Sequence, residues 1–136
     1  MPAHSELFPW PSYYGHFNFF EDRMMSHDDV KSLERMGNGL YALQRQNGET
    51  LRIFICECYA FGVAEYLEAV ENFGALDAVI INSAWCGYGP ETKRYCRDKR
   101  VGLFFIRDFM AALNRNDFWN YLNEGEREQF GMRGWI

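Results

Sequence analysis

The chain has 136 residues, which suits one domain around one core. Its formal net charge is −5 and aromatics make up 18% of it. The acidity excludes the basic footprint of a general nucleic-acid binder, and aromatics beyond the needs of so small a core point to an interaction surface.

Residues 1–22 carry Pro2, Pro9 and Pro11 among Phe8, Trp10, Tyr13, Tyr14, Phe17, Phe19 and Phe20, with no periodicity. This predicts an arm without an element. Its rings must pack on the domain itself or on a second chain, and in the second case Trp10 and Tyr13 are the expected anchors. The segment has neither the basic nor the apolar region of a signal peptide. No apolar run approaches the length of a membrane span. The expected setting is the reducing cytoplasm, with free thiols at Cys56, Cys58, Cys86 and Cys96.

Ser26-His27-Asp28-Asp29 reads as the cap of a short helix running to about Met36, with Val30, Leu33 and Met36 on one face. Gly37-Asn38-Gly39 would end it. A strand is expected over residues 40–46, then a tight turn at Asn47-Gly48, then a return strand over residues 49–59. Val63, Leu67 and Val70 repeat at helical spacing, predicting a helix over 63–73 that Gly74 stops. Residues 77–82 form an apolar strand of the parallel-sheet type.

The loop "SAWCGYG" follows at 83–89, and Pro90 opens a charged helix that runs to about residue 99. A strand at 101–106, a helix at 107–114 and a tail with a short helix complete the chain. The predicted fold class is α/β, a mixed sheet of about four or five strands in which an N-terminal hairpin precedes parallel strands, flanked by helices. The expected divisions are an arm at 1–22, the domain at 23–122 and a C-terminal tail at 123–136.

Ligand sites on such sheets lie outside the carboxyl ends of the parallel strands. Those ends carry Glu57-Cys58-Tyr59, the stretch from Asn82 to Cys86, and Ile106 with Asp108. Glu57 stands out because it interrupts the apolar run "RIFICECYAFG". A buried carboxylate is costly unless paired, metal-bound or protonated.

The stretches "IFICECY", "LDAVIINSAW" and "GPETKRYCRDKRVGLFFIRDFMAAL" give the segment from Gly39 to Leu113 a family likeness. It resembles the Mrr-like branch of the restriction-endonuclease-like, or PD-(D/E)xK, superfamily. The resemblance implies a nuclease-like fold, with Glu57 at the position of the family's metal-binding glutamate and Tyr59 at that of its lysine. The catalytic motif departs from the family's. Tyrosine carries no positive charge near neutrality. The preceding strand, "GLYALQRQ", has no acidic residue for a first metal ligand. One carboxylate makes a poor Mg²⁺ site.

Glu57 is therefore expected as a remnant, paired with Arg45, Arg52, Lys93 or Arg94, or bonded to Tyr59 or a backbone amide. No metal or other cofactor is expected. The alternative is an active Mg²⁺-dependent deoxyribonuclease with carboxylates recruited from Glu21, Asp22, Asp28 or Asp29. Four cysteines could in number hold a zinc ion, but buried free thiols are the preferred reading. Cys86 as a nucleophile needs a base, and His4, His16 and His27 all lie in the N-terminal quarter.

Trp85 and Tyr88 flank glycines on a loop, where they can stack a base, anchor a partner or cover the core. Lys93, Arg94 and Arg97 belong to the basic cluster "KRYCRDKR", a solvated face or a phosphate-tracking one. The expected function is non-catalytic. The chain reads as a pseudo-nuclease acting by macromolecular binding, foremost a protein-binding immunity, regulatory or defence-related module, or a homo-oligomer. A nucleic-acid-binding Mrr-like domain is the alternative. No membrane partner is expected.

Overall fold

The computed structural model describes residues 7–136, so Pro2 and His4 lie outside the described residues. The first element is a helix, α1 (Tyr14–Met25), followed by an antiparallel meander of β1 (Val30–Gly37), β2 (Leu40–Arg45) and β3 (Thr50–Cys56). A two-residue strand β4 (Ala60–Phe61) leads to α2 (Val63–Phe73), β5 (Ala78–Ile81) and another short strand, β6 (Gly87–Tyr88). Then come α3 (Pro90–Asp98), β7 (Gly102–Phe105), α4 (Ile106–Ala112), a 3-10 turn (Phe118–Asn120) and α5 (Glu124–Met132).

The main sheet has five strands in the order β1-β2-β3-β5-β7. β3 pairs antiparallel with β2 and parallel with β5, and β5 pairs parallel with β7. The chain is thus α/β, with a mixed sheet in which an antiparallel hairpin precedes parallel strands between helices. β4 and β6 form a small parallel pair of their own.

Alternation along β3 explains its uninterrupted apolar sequence. Leu51, Ile53 and Ile55 enter one core with Phe20 and Met24 of α1 and Phe109 of α4. Phe54 and Cys56 enter the other with Tyr66 of α2 and Cys96 of α3. Successive strand residues point to opposite faces, so a strand covered on both sides is apolar throughout. β5 obeys the same rule and is buried at all four positions.

Two expectations about the N-terminal region are corrected. Residues 14–25 are helical, although residues 1–22 were expected to form an arm without an element. Residues 30–37 are the edge strand β1, where a helix capped at 26–29 was expected. The helical spacing of Val30, Leu33 and Met36 misled because an edge strand buries little: only Val30 is buried, and Met36 is 51% exposed. Asn38-Gly39 is the hairpin turn between β1 and β2, with both residues at positive φ. Gly39 admits no other residue without displacement, since an added Cβ would lie 2.5 Å from the carbonyl oxygen of Ile55.

The return strand also stops earlier than expected. β3 ends at Cys56, so Glu57 stands one residue beyond it, at the carboxyl end of a central strand rather than inside one.

Candidate functional site

The carboxyl ends of β3, β5 and β7 face the first turn of α1. Residues 7–13 bring that turn there by crossing the α2–α3 face of the sheet. Trp10, expected as an interface anchor, is buried among Phe8, Phe54 and Phe61. Its carbonyl accepts the Glu57 N–H at 2.8 Å. The aromatic segment thus packs across its own domain, and Tyr13, half exposed, follows at the rim.

Glu57 is 2% exposed, and its partner is none of the four cations expected from the sequence. Its Oε2 accepts from the Tyr13 backbone N–H at 3.1 Å and lies 2.6 Å from His16 Nδ1. The expected backbone-amide bond is present, and His16 supplies the rest. Arg45 is buried but serves Asp29 and Glu49, and Arg52 donates to the Ala75 carbonyl. Lys93 is turned to Leu103, and Arg94 lies over Trp135. The signal for His16 was available in its type and in its place on an aromatic segment, but the chain offered no way to bring position 16 to position 57 without α1.

His16 lines a cleft of about 540 Å³ whose walls include Phe19, Trp85, Phe105 and Ile106. Asn82 and Ser83 add its polar groups. Asn82 Nδ2 donates to Ser12 Oγ and to the His16 carbonyl, both at 3.2 Å, fixing the turn against β5. Ser83 Oγ accepts the Trp85 N–H at 3.1 Å. Trp85 is 65% exposed and Phe19 47% exposed, so the cleft has an open aromatic rim.

Because Glu57 takes a proton donor at each of its bonds, Nδ1 of His16 carries hydrogen and the remaining ring nitrogen, Nε2, is the one left for a ligand. A carboxylate behind an imidazole is an orienting device, and it adds negative charge to the wall. As a metal site the arrangement does not fit. One carboxylate already engaged by two protein donors leaves little coordination capacity for a hard cation, which draws on several oxygens. Among the described residues no group of three His, Cys, Asp or Glu converges on a common point.

The recruited carboxylates of the nuclease alternative are placed elsewhere. Glu21 accepts from Tyr41 and Arg35, and Asp29 from Arg45. Asp22 and Asp28 are exposed on α1 and the turn after it. None of the four lines the cleft.

The remaining site residues separate. Tyr59 is 67% exposed in the turn before β4. Tyr88 donates its hydroxyl to Glu126 at 2.8 Å and stacks on Phe105, so its ring is held inside the fold. Burial and the Glu126 carboxylate push that phenol far above its ordinary value.

Lys93, expected on a solvated face, is 1% exposed. Its Nζ donates to the Leu103 carbonyl at 2.5 Å, with Glu126 3.8 Å away. Burial lowers it to about 8. Arg97 donates to the Asn120 carbonyl, and Arg94 and Arg100 lie over Trp135 and Trp119. Of this cluster Lys93 is buried and Arg97 half-buried, while Arg94, Lys99 and Arg100 are exposed.

All four cysteines are unpaired and buried. Burial raises every thiol, Cys58 to about 11 and Cys96 to about 12. Cys86 is therefore held as a thiol, away from the thiolate form a nucleophile needs. Among the described residues, no helix is long and apolar enough to cross a membrane. Comparison of the chain with protein-family models, with curated proteins and with solved structures finds no match.

Proposed function

We propose that this chain is a non-catalytic protein-binding module that docks a basic protein segment in the aromatic cleft between α1 and the loop after β5. One observation carries the reading. Glu57, the residue that would hold a metal in the resembled superfamily, is spent on His16 and the Tyr13 amide, and the cleft in front of them is aromatic, with no carboxylate lining it among the described residues. The superfamily resemblance fits the order of hairpin, helix, strand, helix and strand, and under it the chain is a pseudo-nuclease.

The net charge of −5 favours a basic partner. Exposed Trp85 and Phe19 supply anchors of the type that dominates protein interfaces. On α3, Lys93 is spent on the Leu103 carbonyl and Arg97 on the Asn120 carbonyl, which leaves Arg94 as that helix's exposed cation and weakens it as a phosphate-tracking face. Four unpaired, buried thiols support a reducing compartment such as the cytoplasm.

The test combines two assays. Peptide-display selection on the immobilised protein should enrich basic peptides whose binding is lost in Trp85→Ala. Plasmid DNA with Mg²⁺ or Mn²⁺ should remain intact. Cleavage that disappears in Glu57→Ala would overturn the reading, as would selected peptides indifferent to both Trp85→Ala and Phe19→Ala.

A further inference from the structure

The cleft's chemistry narrows what enters it. Glu57 is buried, and the side chain bonded to it is an imidazole rather than an arginine or lysine. A neutral imidazole in this pair leaves one net negative charge and, with Nδ1 engaged by the carboxylate, has Nε2 as its lone-pair acceptor. Among the described residues the lining holds no arginine, lysine or carboxylate to answer that charge. An occupant that completes the cleft brings positive charge, hydrogen-bond donors and a flat face for the aromatic rim.

The chain's own tryptophans show which group this is. Trp119 carries Arg100 over its ring at 5.6 Å. Trp135 carries Arg94 at 4.5 Å and Arg133 at 5.1 Å. Beside the cleft, Arg23 lies 4.8 Å from the centroid of Phe19. Trp85 has no such neighbour among the described residues, although it is the most exposed of the described tryptophans, at 65%. Guanidinium is planar, stacks on aromatic faces and offers five donors in a fixed fork.

We propose that the cleft receives an arginine side chain of the partner, stacked on Trp85 and donating to Nε2 of His16, with the charge of Glu57 behind it. This rests on the protein-binding reading and specifies its anchor.

The probes are ethylguanidinium and p-cresol, the side-chain analogues of arginine and tyrosine. They are titrated into the full chain while the indole N–H resonance of Trp85 is followed, assigned by its loss in Trp85→Phe. Ethylguanidinium should shift it saturably and bind more tightly than p-cresol. Glu57→Gln should weaken ethylguanidinium roughly fivefold, the scale of losing one partly screened opposite charge behind the site, and leave p-cresol unchanged. His16→Leu, which removes the acceptor and keeps the wall, should do the same if Glu57→Gln fails to fold.

Tighter or equal binding of p-cresol overturns the arginine anchor and leaves the docking reading standing with an aromatic anchor. Guanidinium affinity indifferent to these variants also overturns it. A Trp85 resonance unmoved by either probe removes both readings.

Discussion

Nδ1 of His16 lies 2.6 Å from Oε2 of Glu57, joining the first turn of α1 to the end of the central strand β3. The imidazole is 43% exposed and the carboxylate 2%, so solvent screens one partner and not the other. His16→Ala strips the carboxylate of its side-chain partner and leaves only the Tyr13 N–H. Chemical denaturation should show a loss of about 1–3 kcal/mol. Adding Glu57→Gln should recover part of that loss, because the uncompensated charge is then gone. A double variant whose losses simply add would mean that the two side chains do not interact in solution.

Deleting residues 1–20 should unfold the protein. Trp10 and Phe20 are fully or almost fully buried, and Glu57 loses the Trp10 carbonyl, the Tyr13 amide and His16 together. Circular dichroism and thermal melting of the truncated chain test this. A cooperative melt near that of the full chain would restore the segment as a detachable arm.

Arg45 should be among the most costly side chains to remove. It is 2% exposed, pairs with Asp29 at 2.6 Å and Glu49 at 3.2 Å, and donates to the carbonyls of Leu113, Arg115 and Asn116. It thereby ties β2 to the segment after α4. Arg45→Ala strands those acceptors and should cost about 3–5 kcal/mol in a denaturant titration. A loss below about 1 kcal/mol would show that water replaces the guanidinium.

Lys93 makes a pH prediction. Burial lowers its ammonium from 10.5 to about 8. The folded state therefore disfavours the charged form that the unfolded chain keeps. The penalty is complete below pH 8 and fades as pH rises toward 10.5, so this residue adds stability with rising pH. The stability of wild type minus that of Lys93→Met should increase by roughly 3 kcal/mol across that window. The buried thiols act in the opposite sense, since their raised values remove stability above the ordinary thiol range; Cys56 and Cys58 cancel in the difference, while Cys96, whose thiolate Lys93 favours, does so only in part. A flat difference would place the Lys93 ammonium in water.

Much of this architecture is legible in the chain. The Asn47-Gly48 turn, the apolar β3 and β5, the helix from Val63 and the opening of α3 at Pro90 each follow from local rules, and the structure places them as expected. Local rules fail where burial is slight or contacts are distant. β1 exposes most of its side chains and so lacks the alternation that marks a strand.

The helix α1 was hidden because its aromatics and His16 serve three different surfaces: Phe20 the core, Phe19 the cleft, and His16 the buried carboxylate. Glu57 was readable as an anomaly from its apolar neighbours. Its partner, 41 residues away, was not. Lys93 shows the same limit. A charged helix reads as a solvated face, and nothing local says that one lysine turns inward to the Leu103 carbonyl.

Glu57 is engaged by His16 and the Tyr13 amide rather than held open for a metal ion. Titrating Mn²⁺ into isotope-labelled protein tests it directly, because the paramagnetic ion broadens resonances around any site it occupies. The account predicts that the amide resonances of Tyr13, His16, Glu57 and Cys58 stay sharp at Mn²⁺ concentrations that broaden exposed acidic surface positions. Selective, saturable broadening of those four, abolished by Glu57→Gln in a protein that remains folded, would contradict it.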